Sequence, residues 1–301
     1  MRSREMNVDM EPFTNSTPIL DDTNAIRQNA DRDGYLFLRR FVQTDLIQET
    51  RRDITAILAS VGWLDEDTDP IDAVSTRDAL IAGTPEFTPI YDTIQKLESF
   101  HRLAHDPGLI HIVKTLLGPN ALLQPSNIAR VIFPTGLEHT TPPHQDYIHI
   151  QGTPDVWTAW FPLGDCPSDL GGLSVLAGSH KQGILPVIQS LGAGGRRTDL
   201  SEAAGHWVTS RFESGDVLFF HSHTIHQGIP NRSGNRIRLS VDYRYQRASD
   251  PIMELVLGPH QGRLSWEEVY AGWKSKEYQY YWEEHSLQLV QKETWPVVNE
   301  T

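Results

Sequence analysis

The sequence predicts a mainly β protein with flanking helices, its centre a sandwich or jelly roll. Three observations predict it. Before Gly118 the apolar residues recur at helical spacing. After Gly118 short alternating runs are separated by Gly, Pro, Asn and Asp, the texture of antiparallel strands. About eight such runs fall within ~125 residues, as in sandwiches and jelly rolls. A chain of 301 residues can bury one large core. The expected organisation is a flexible N-terminal segment over 1–22 and a single domain over 23–301. Within that domain, 23–118 is a mostly helical flank, 119–247 the jelly-roll core and 248–301 a C-terminal helical segment.

The elements follow in order. Residues 1–22 are polar, with Pro12 and Pro18. Asp33-Gly34 marks a turn before the short apolar strand Tyr35-Leu36-Phe37-Leu38. Thr44 is placed to cap a helix over 45–61, with Leu46, Ile54, Ile57, Leu58 and Val61 on one face and Gly62 as its stop. Residues 64–89, acidic and proline-bearing, read as irregular. A second helix fits 90–105, with Ile90, Ile94, Leu97 and Phe100 in register. A third starts at Asp106-Pro107, an N-cap followed by Pro at the first position, and stops at Gly118. Strands are expected over 121–133, 144–151, 156–163, 172–177, 206–212, 216–221, 224–229 and 236–246. The stretch 182–205, with Gly192-Ala193-Gly194-Gly195, Arg196 and Arg197, is long for a turn and reads as a lid or binding loop that could meet an anionic substrate. The tail 264–282 reads as a helix packed through Trp266, Tyr270, Trp273, Tyr280, Tyr281 and Trp282.

Composition excludes several classes. Lys+Arg is 26 against Asp+Glu 39, a net charge of −13, so the chain has no general field for nucleic acid or anionic membrane. Cys166 is the single cysteine, so no intrachain disulfide forms. The N-terminus lacks the apolar core of a secretory signal and no apolar run is long enough to span a bilayer, so a cytoplasmic protein is expected.

The chemistry sits in Pro143-His144-Gln145-Asp146-Tyr147-Ile148-His149. On a strand, His144 and Asp146 would point to one face and offer a nitrogen and an oxygen side by side. Two His plus one carboxylate with open positions is the ligand set of non-haem Fe(II) oxygenases. Candidates for the other His are His221, His223 and His226; His226 is favoured by the turn and strand that follow it. That strand, 236–246, alternates strictly. Ile237, Leu239, Val241, Tyr243 and Tyr245 share one face; Arg236, Arg238, Ser240, Asp242 and Arg244 share the other. Arg238 and Ser240 could fork onto a carboxylate inside a barrel mouth. Asp242 and Arg244 read as structural partners. Tyr147, His149, Trp157 and Trp160 are weaker candidates for a substrate pocket.

These fragments, in this order, resemble the phytanoyl-CoA dioxygenase-like family of Fe(II)/2-oxoglutarate-dependent oxygenases. The resemblance is carried by Asp33-Gly34-Tyr35, His144-Gln145-Asp146, Thr158-Ala159-Trp160, Gly171-Gly172-Leu173-Ser174, Gly178-Ser179-His180, His226, Asn231 and Arg238-Leu239-Ser240. It implies a double-stranded β-helix, a cupin-like jelly roll. It implies iron on His144, Asp146 and His226, and 2-oxoglutarate held by Arg238, with Arg236 as rival. It adds hydroxyls from Thr158 and Ser174, and a contact from Gln124. Gly228 departs from the pattern, since many relatives carry Ser there; a cosubstrate contact is then missing or is supplied by Ser240. The implied reaction is hydroxylation of a small organic molecule by O2, with release of succinate and CO2 and with ascorbate as a stimulant. Desaturation or epoxidation at the same site, or a non-catalytic binding module, are the alternatives. Asp146 argues against halogenation, because related halogenases carry Gly or Ala at that place.

Overall fold

A computed structural model of the chain describes residues 10–134, 140–191 and 195–298. Two antiparallel sheets face each other. The larger runs in the order β1 (Tyr35–Leu38), β9 (Val217–His221), β4 (Trp157–Pro162), β11 (Arg238–Arg247), β2 (Ala121–Leu123), with β3 (Ile128–Ile132) also on β11. The smaller is β10 (His226–Gly228), β5 (Leu173–Ala177), β8 (His206–Thr209). This is the jelly roll the alternating runs predict.

The alternation of β11 explains both faces of the larger sheet. Leu239, Val241, Tyr243 and Tyr245 join Leu36, Leu38, Ala159, Phe161 and Phe219 in a core against the helices. Tyr243 and Tyr245 donate their hydroxyls to Phe100 O and Ala104 O, both 2.6 Å, so their polar tips are satisfied inside it. The opposite face meets the small sheet through Tyr35, Phe37, Trp160, Leu173, Val175, Val208, Leu218 and Phe220. Arg238, Ser240, Asp242 and Arg244 have the parity of this second face: Asp242 pairs with Trp160 and Arg244 with Thr158. All four are buried. A row that would ordinarily be solvated is enclosed between sheets.

The helical flank comprises α1 (Thr23–Asp33), α2 (Thr44–Ser60), α3 (Phe87–Gln95), α4 (Glu98–Leu103) and α5 (Pro107–Leu117). Asp106 caps α5 through Gly108 N and Leu109 N. Three expectations need correction, and one helix went unannounced. α1 has no apolar period strong enough to announce it; Asp22 caps it through Asn24 N and Ala25 N. Thr44 is the first residue of α2 and Gln43 its cap, without a side-chain bond. The helix expected over 90–105 is two, broken where Leu97 is extended. Residues 10–22 are not a loose lead-in: Phe13 is buried against Tyr35, Phe37 and Phe212, and Glu11 bridges Val208 at the edge of β8. The remainder of the 1–22 segment, 1–9, lies outside the described residues.

The strand expected over 144–151 is replaced by one bridging residue and a short helix, α6 (Tyr147–Ile150). Within 182–205, β6 (Val187–Gln189) and β7 (Arg196–Thr198) form a ribbon; Gly192-Ala193-Gly194 of that stretch lies outside the described residues. The C-terminal segment is mostly not helical. It holds β12 (Ile252–Met253), the five-residue α7 (Trp266–Tyr270) and β13 (Leu289–Val290), with short 3-10 turns between. Its aromatics do pack: Trp266 and Trp273 lie on His101, and Tyr278 stacks on His105 at 4.2 Å. No helix among the described residues is long and apolar enough to cross a membrane.

Candidate metal centre

His144 and His226 are antiparallel bridge partners. His144 N donates to His226 O (2.9 Å) and His226 N to His144 O (3.0 Å). The bridge extends the small sheet by one residue and sets the two rings side by side, 4.1 Å between centroids. Each Nδ1 lies on a backbone carbonyl: His144 on Pro142 O (2.9 Å), His226 on Thr224 O (3.0 Å). Each ring therefore carries its proton on Nδ1 and presents the Nε2 lone pair. Asp146 does not get its place from strand alternation, as the sequence had implied. Its backbone is already helical (φ −61°, ψ −31°) as the chain turns into α6. Its Oδ1 faces His144 Nε2 at 3.5 Å and His226 Nε2 at 3.8 Å. Among the described residues these three make the one group of His, Cys, Asp or Glu whose ligand atoms, all within 4.8 Å, could hold a metal ion. All three are buried.

The other carboxylate oxygen is held by neighbours. Asp146 Oδ2 accepts from Thr158 Oγ1 (3.0 Å) and from Arg244 Nε (3.1 Å). Burial pushes this carboxyl up, but Arg244, then His144 and His226, outweigh it and hold it well below the usual carboxylate range. Burial, with His144 alongside, brings His226 down to about 3, so it stays a neutral ligand. The arrangement offers two nitrogens and one anionic oxygen on one side, which suits Fe(II).

A second polar cluster lies on the same inter-sheet face. Arg238 is buried over the Trp160 ring (5.6 Å to its centroid) and donates Nη1 to Gly172 O (3.1 Å). Its Nε, Ser240 Oγ and Trp160 Nε1 are buried with no hydrogen-bond partner. Burial pulls the guanidinium below the ordinary arginine value. Such donors next to a buried cation fit a bound carboxylate. The rival Arg236 is outside β11, partly exposed, and paired with Asp169 at 3.3 Å.

Several of the expected cosubstrate and pocket residues have protein partners of their own or lie on other faces. Thr158 donates its proton to Asp146 instead. Ser174 has the parity of Leu176, which belongs to a separate cluster on the outer face of the small sheet, so its hydroxyl points away from Arg238. Gln124 donates its amide to Gln246 Oε1 (2.8 Å) and its N–H to Arg244 O (2.7 Å). Its side-chain amide is thus committed to Gln246, on the same strand as Arg244. Trp157 lies in the helix-side core, on the other face from Thr158, and packs on His221. His221 shares that parity and sits 3.6 Å from Asp155. Tyr147 packs on His223 and Trp295. His149 does lie beside the centre, 6.0 Å from the His144 ring, and burial takes it down to about 4. At Gly228 a Cβ would meet Thr140 Cγ2 at 3.2 Å, a tight contact that a serine there would have to relieve. The residue that sequence reasoning underrated is Arg244; its signal was the shared parity with Arg238.

The model of the phytanoyl-CoA dioxygenase (PhyH) family matches residues 30–240. The chain belongs to this family. It is an iron- and 2-oxoglutarate-dependent oxygenase of the PhyH family, with the family's jelly roll. Among its relatives is the 1-deoxypentalenic acid 11-beta-hydroxylase of Streptomyces exfoliatus, 28% identical over 80% of this chain and 87% of the relative. The peroxisomal phytanoyl-CoA dioxygenase of Bos taurus is 24% identical over 69% of this chain and 64% of its own length. In fold, it is similar to the epimerase SnoN in complex with Fe3+, alpha ketoglutarate and nogalamycin RO (TM-score 0.55, 20% identity, 76% of this chain and 85% of that one). It is also similar to apo EctD from S. alaskensis (TM-score 0.51, 20% identity, 88% and 92%).

Proposed function

We propose that this PhyH-family enzyme hydroxylates a small organic molecule, with iron on His144 Nε2, Asp146 Oδ1 and His226 Nε2 and with 2-oxoglutarate anchored on Arg238. The observation that carries the reading is the unpartnered Arg238 Nε, buried in the same inter-sheet space as the His-Asp-His group. When bound, iron and 2-oxoglutarate supply the oxidising power, with succinate and CO2 as products. The chain's own contributions are positional. The two Nδ1–carbonyl bonds aim the imidazoles. Arg244 and Thr158 leave Asp146 ionised with one oxygen free. Arg238, with Ser240 and Trp160 beside it, gives the far carboxylate of 2-oxoglutarate a bidentate donor and two further hydrogen bonds. The two sheets keep water from this space.

Anaerobic titration tests it. Fe(II) with 2-oxoglutarate should give a weak visible charge-transfer band that disappears in His144→Ala. Arg238→Gln should raise the 2-oxoglutarate Kd by about 10- to 100-fold, the cost of a charged hydrogen bond, while Arg236→Gln changes it less than about twofold. No band in the wild type, and no succinate with any substrate, would sink the reading.

A further inference from the structure

A cavity of about 400 Å³ opens beside the metal centre. Its floor is Ile148 and His149 of α6, and His149 is the ring that also borders His144. One wall is Arg196 on β7. On a strand i and i+2 share a face, and Thr198 is fully enclosed and donates its N–H to Pro143 O (2.7 Å), next to His144. Arg196 therefore shares a face of β7 with the buried Thr198, whose backbone ties this ribbon to the residue before His144. The roof is a C-terminal strap, Lys292 to Trp295. The strap is fixed at several points. Gln151 exchanges two hydrogen bonds with the Glu293 backbone (2.8 and 2.7 Å), Trp295 packs on Tyr147, and Val298 N reaches Val187 O (2.8 Å).

In a chain of net charge −13, two cations meet at this cavity against one carboxylate, Glu293. Ile148 and Trp295 leave apolar surface between them. The roof lies past residue 240, outside the part that matches the family model. We propose that this cavity anchors the anionic end of the substrate, a small organic acid whose carboxylate is held by Arg196 and Lys292 while its carbon skeleton passes His149 toward the iron ligands. The proposal rests on the oxygenase reading for the direction in which the skeleton points. The carboxylate recognition itself stands on the cavity alone.

The test uses full-length protein with Zn(II) and 2-oxoglutarate filling the neighbouring site, so that probes cannot occupy Arg238. Binding of both is first measured in every variant. Octanoate, adamantane-1-carboxylate and abietate are then compared by ligand-detected NMR with their primary amides. At least one acid should bind at least about tenfold more tightly than its amide. Arg196→Gln and Lys292→Gln should each erode that preference and the double variant abolish it, with Zn(II) and 2-oxoglutarate affinity unchanged. Lys292→Glu, an exposed change that leaves the fold alone, should reverse it. No acid preferred over its amide, or a preference that survives the double variant, overturns the proposal. Failure of Zn(II) and 2-oxoglutarate to bind the wild type counts against the oxygenase reading instead, and the acid–amide comparison is then read on the metal-free protein.

Discussion

As the proposed metal ligand, Asp146 has to offer one oxygen and keep its charge while buried, and Arg244 is placed to let it do both. The guanidinium sits on Oδ2, leaving Oδ1 to face the two Nε2 atoms. Arg244→Gln should retain the fold yet lower Co(II) or Zn(II) affinity by about 10- to 100-fold, as expected when a group orienting a metal ligand is lost. A chelator competition assay reads this directly; unchanged affinity would mean Arg244 is only structural. At this scale much was legible. That His226 would join His144 and Asp146 was readable from the turn and strand after it, and that Arg238 would share a face with Ser240 and Arg244 from the alternation of 236–246. What was not legible is which neighbour receives a given polar side chain's proton. Thr158 and Ser174 look equally available in the sequence. One is committed to Asp146 and the other lies buried on the opposite face of β5, because that strand turns Val175, and not Ser174, toward the larger sheet.

Among the elements, the turn at Asp33-Gly34 has a task that its sequence does not announce. Asp33 O accepts from Gly178 N (2.8 Å), and Gly34 O accepts from His221 N (3.0 Å) and Thr224 Oγ1 (2.8 Å). Ser179 Oγ in turn accepts from Ile225 N (2.9 Å), next to His226. The N-terminal turn thus clamps the Gly178-Ser179-His180 turn and the approach to the distal His. Gly34 has φ +73°, and a Cβ there would come within 2.3 Å of His180 Nδ1. Gly34→Ala should cost about 1–2 kcal/mol from the left-handed backbone alone, and more from the clash. Both the urea midpoint and metal affinity should fall; a loss of stability with metal affinity intact would break the link to His226. α5 was readable because its cap, first-turn Pro and Gly stop are local signals. α6 was not. Tyr-Ile-His-Ile carries strand-like residues, and the turn that overrides them is held from outside by Tyr147 N on Ser222 O (3.1 Å). The aromatic tail misled for the same reason: its rings answer to His101 and His105 on another element, not to a helical period of their own.

For the whole molecule, acid stability follows from buried neutral histidines. His101 Nε2 lies on Gln95 O (2.9 Å) and its Nδ1 on Asn127 Nδ2 (3.2 Å), beneath the C-terminal aromatics. Burial lowers it to about 4, and lowers His105 and His260 to about 3. In the unfolded chain these groups titrate near 6.5, so between that value and about 4 the unfolded state binds more protons. Stability is therefore full above about pH 6.5 and is lost as pH falls toward 4, by about 3 kcal/mol for His101. Urea midpoints measured from pH 7.5 to 4.5 should drop, and the slope should be shallower in His101→Gln. Equal slopes would show that His101 is already charged in the native protein. The jelly roll itself was legible from alternation and turn residues. The small sheet's extra edge at His144 was not, because a one-residue bridge leaves no periodic trace.

The Nδ1–carbonyl bonds of His144 and His226 also bear on which metal arrives. The ligand atoms are aimed before any ion binds, but two imidazole nitrogens and one carboxylate oxygen are donors that the first-row divalent ions from Mn(II) to Zn(II) all accept. The ordinary order of divalent affinities then applies, with Ni(II), Cu(II) and Zn(II) above Fe(II). Protein made in cells rich in those ions should emerge carrying them, inactive until stripped and refilled with Fe(II) under reducing conditions. The identity of the bound ion should then follow supply more than shape.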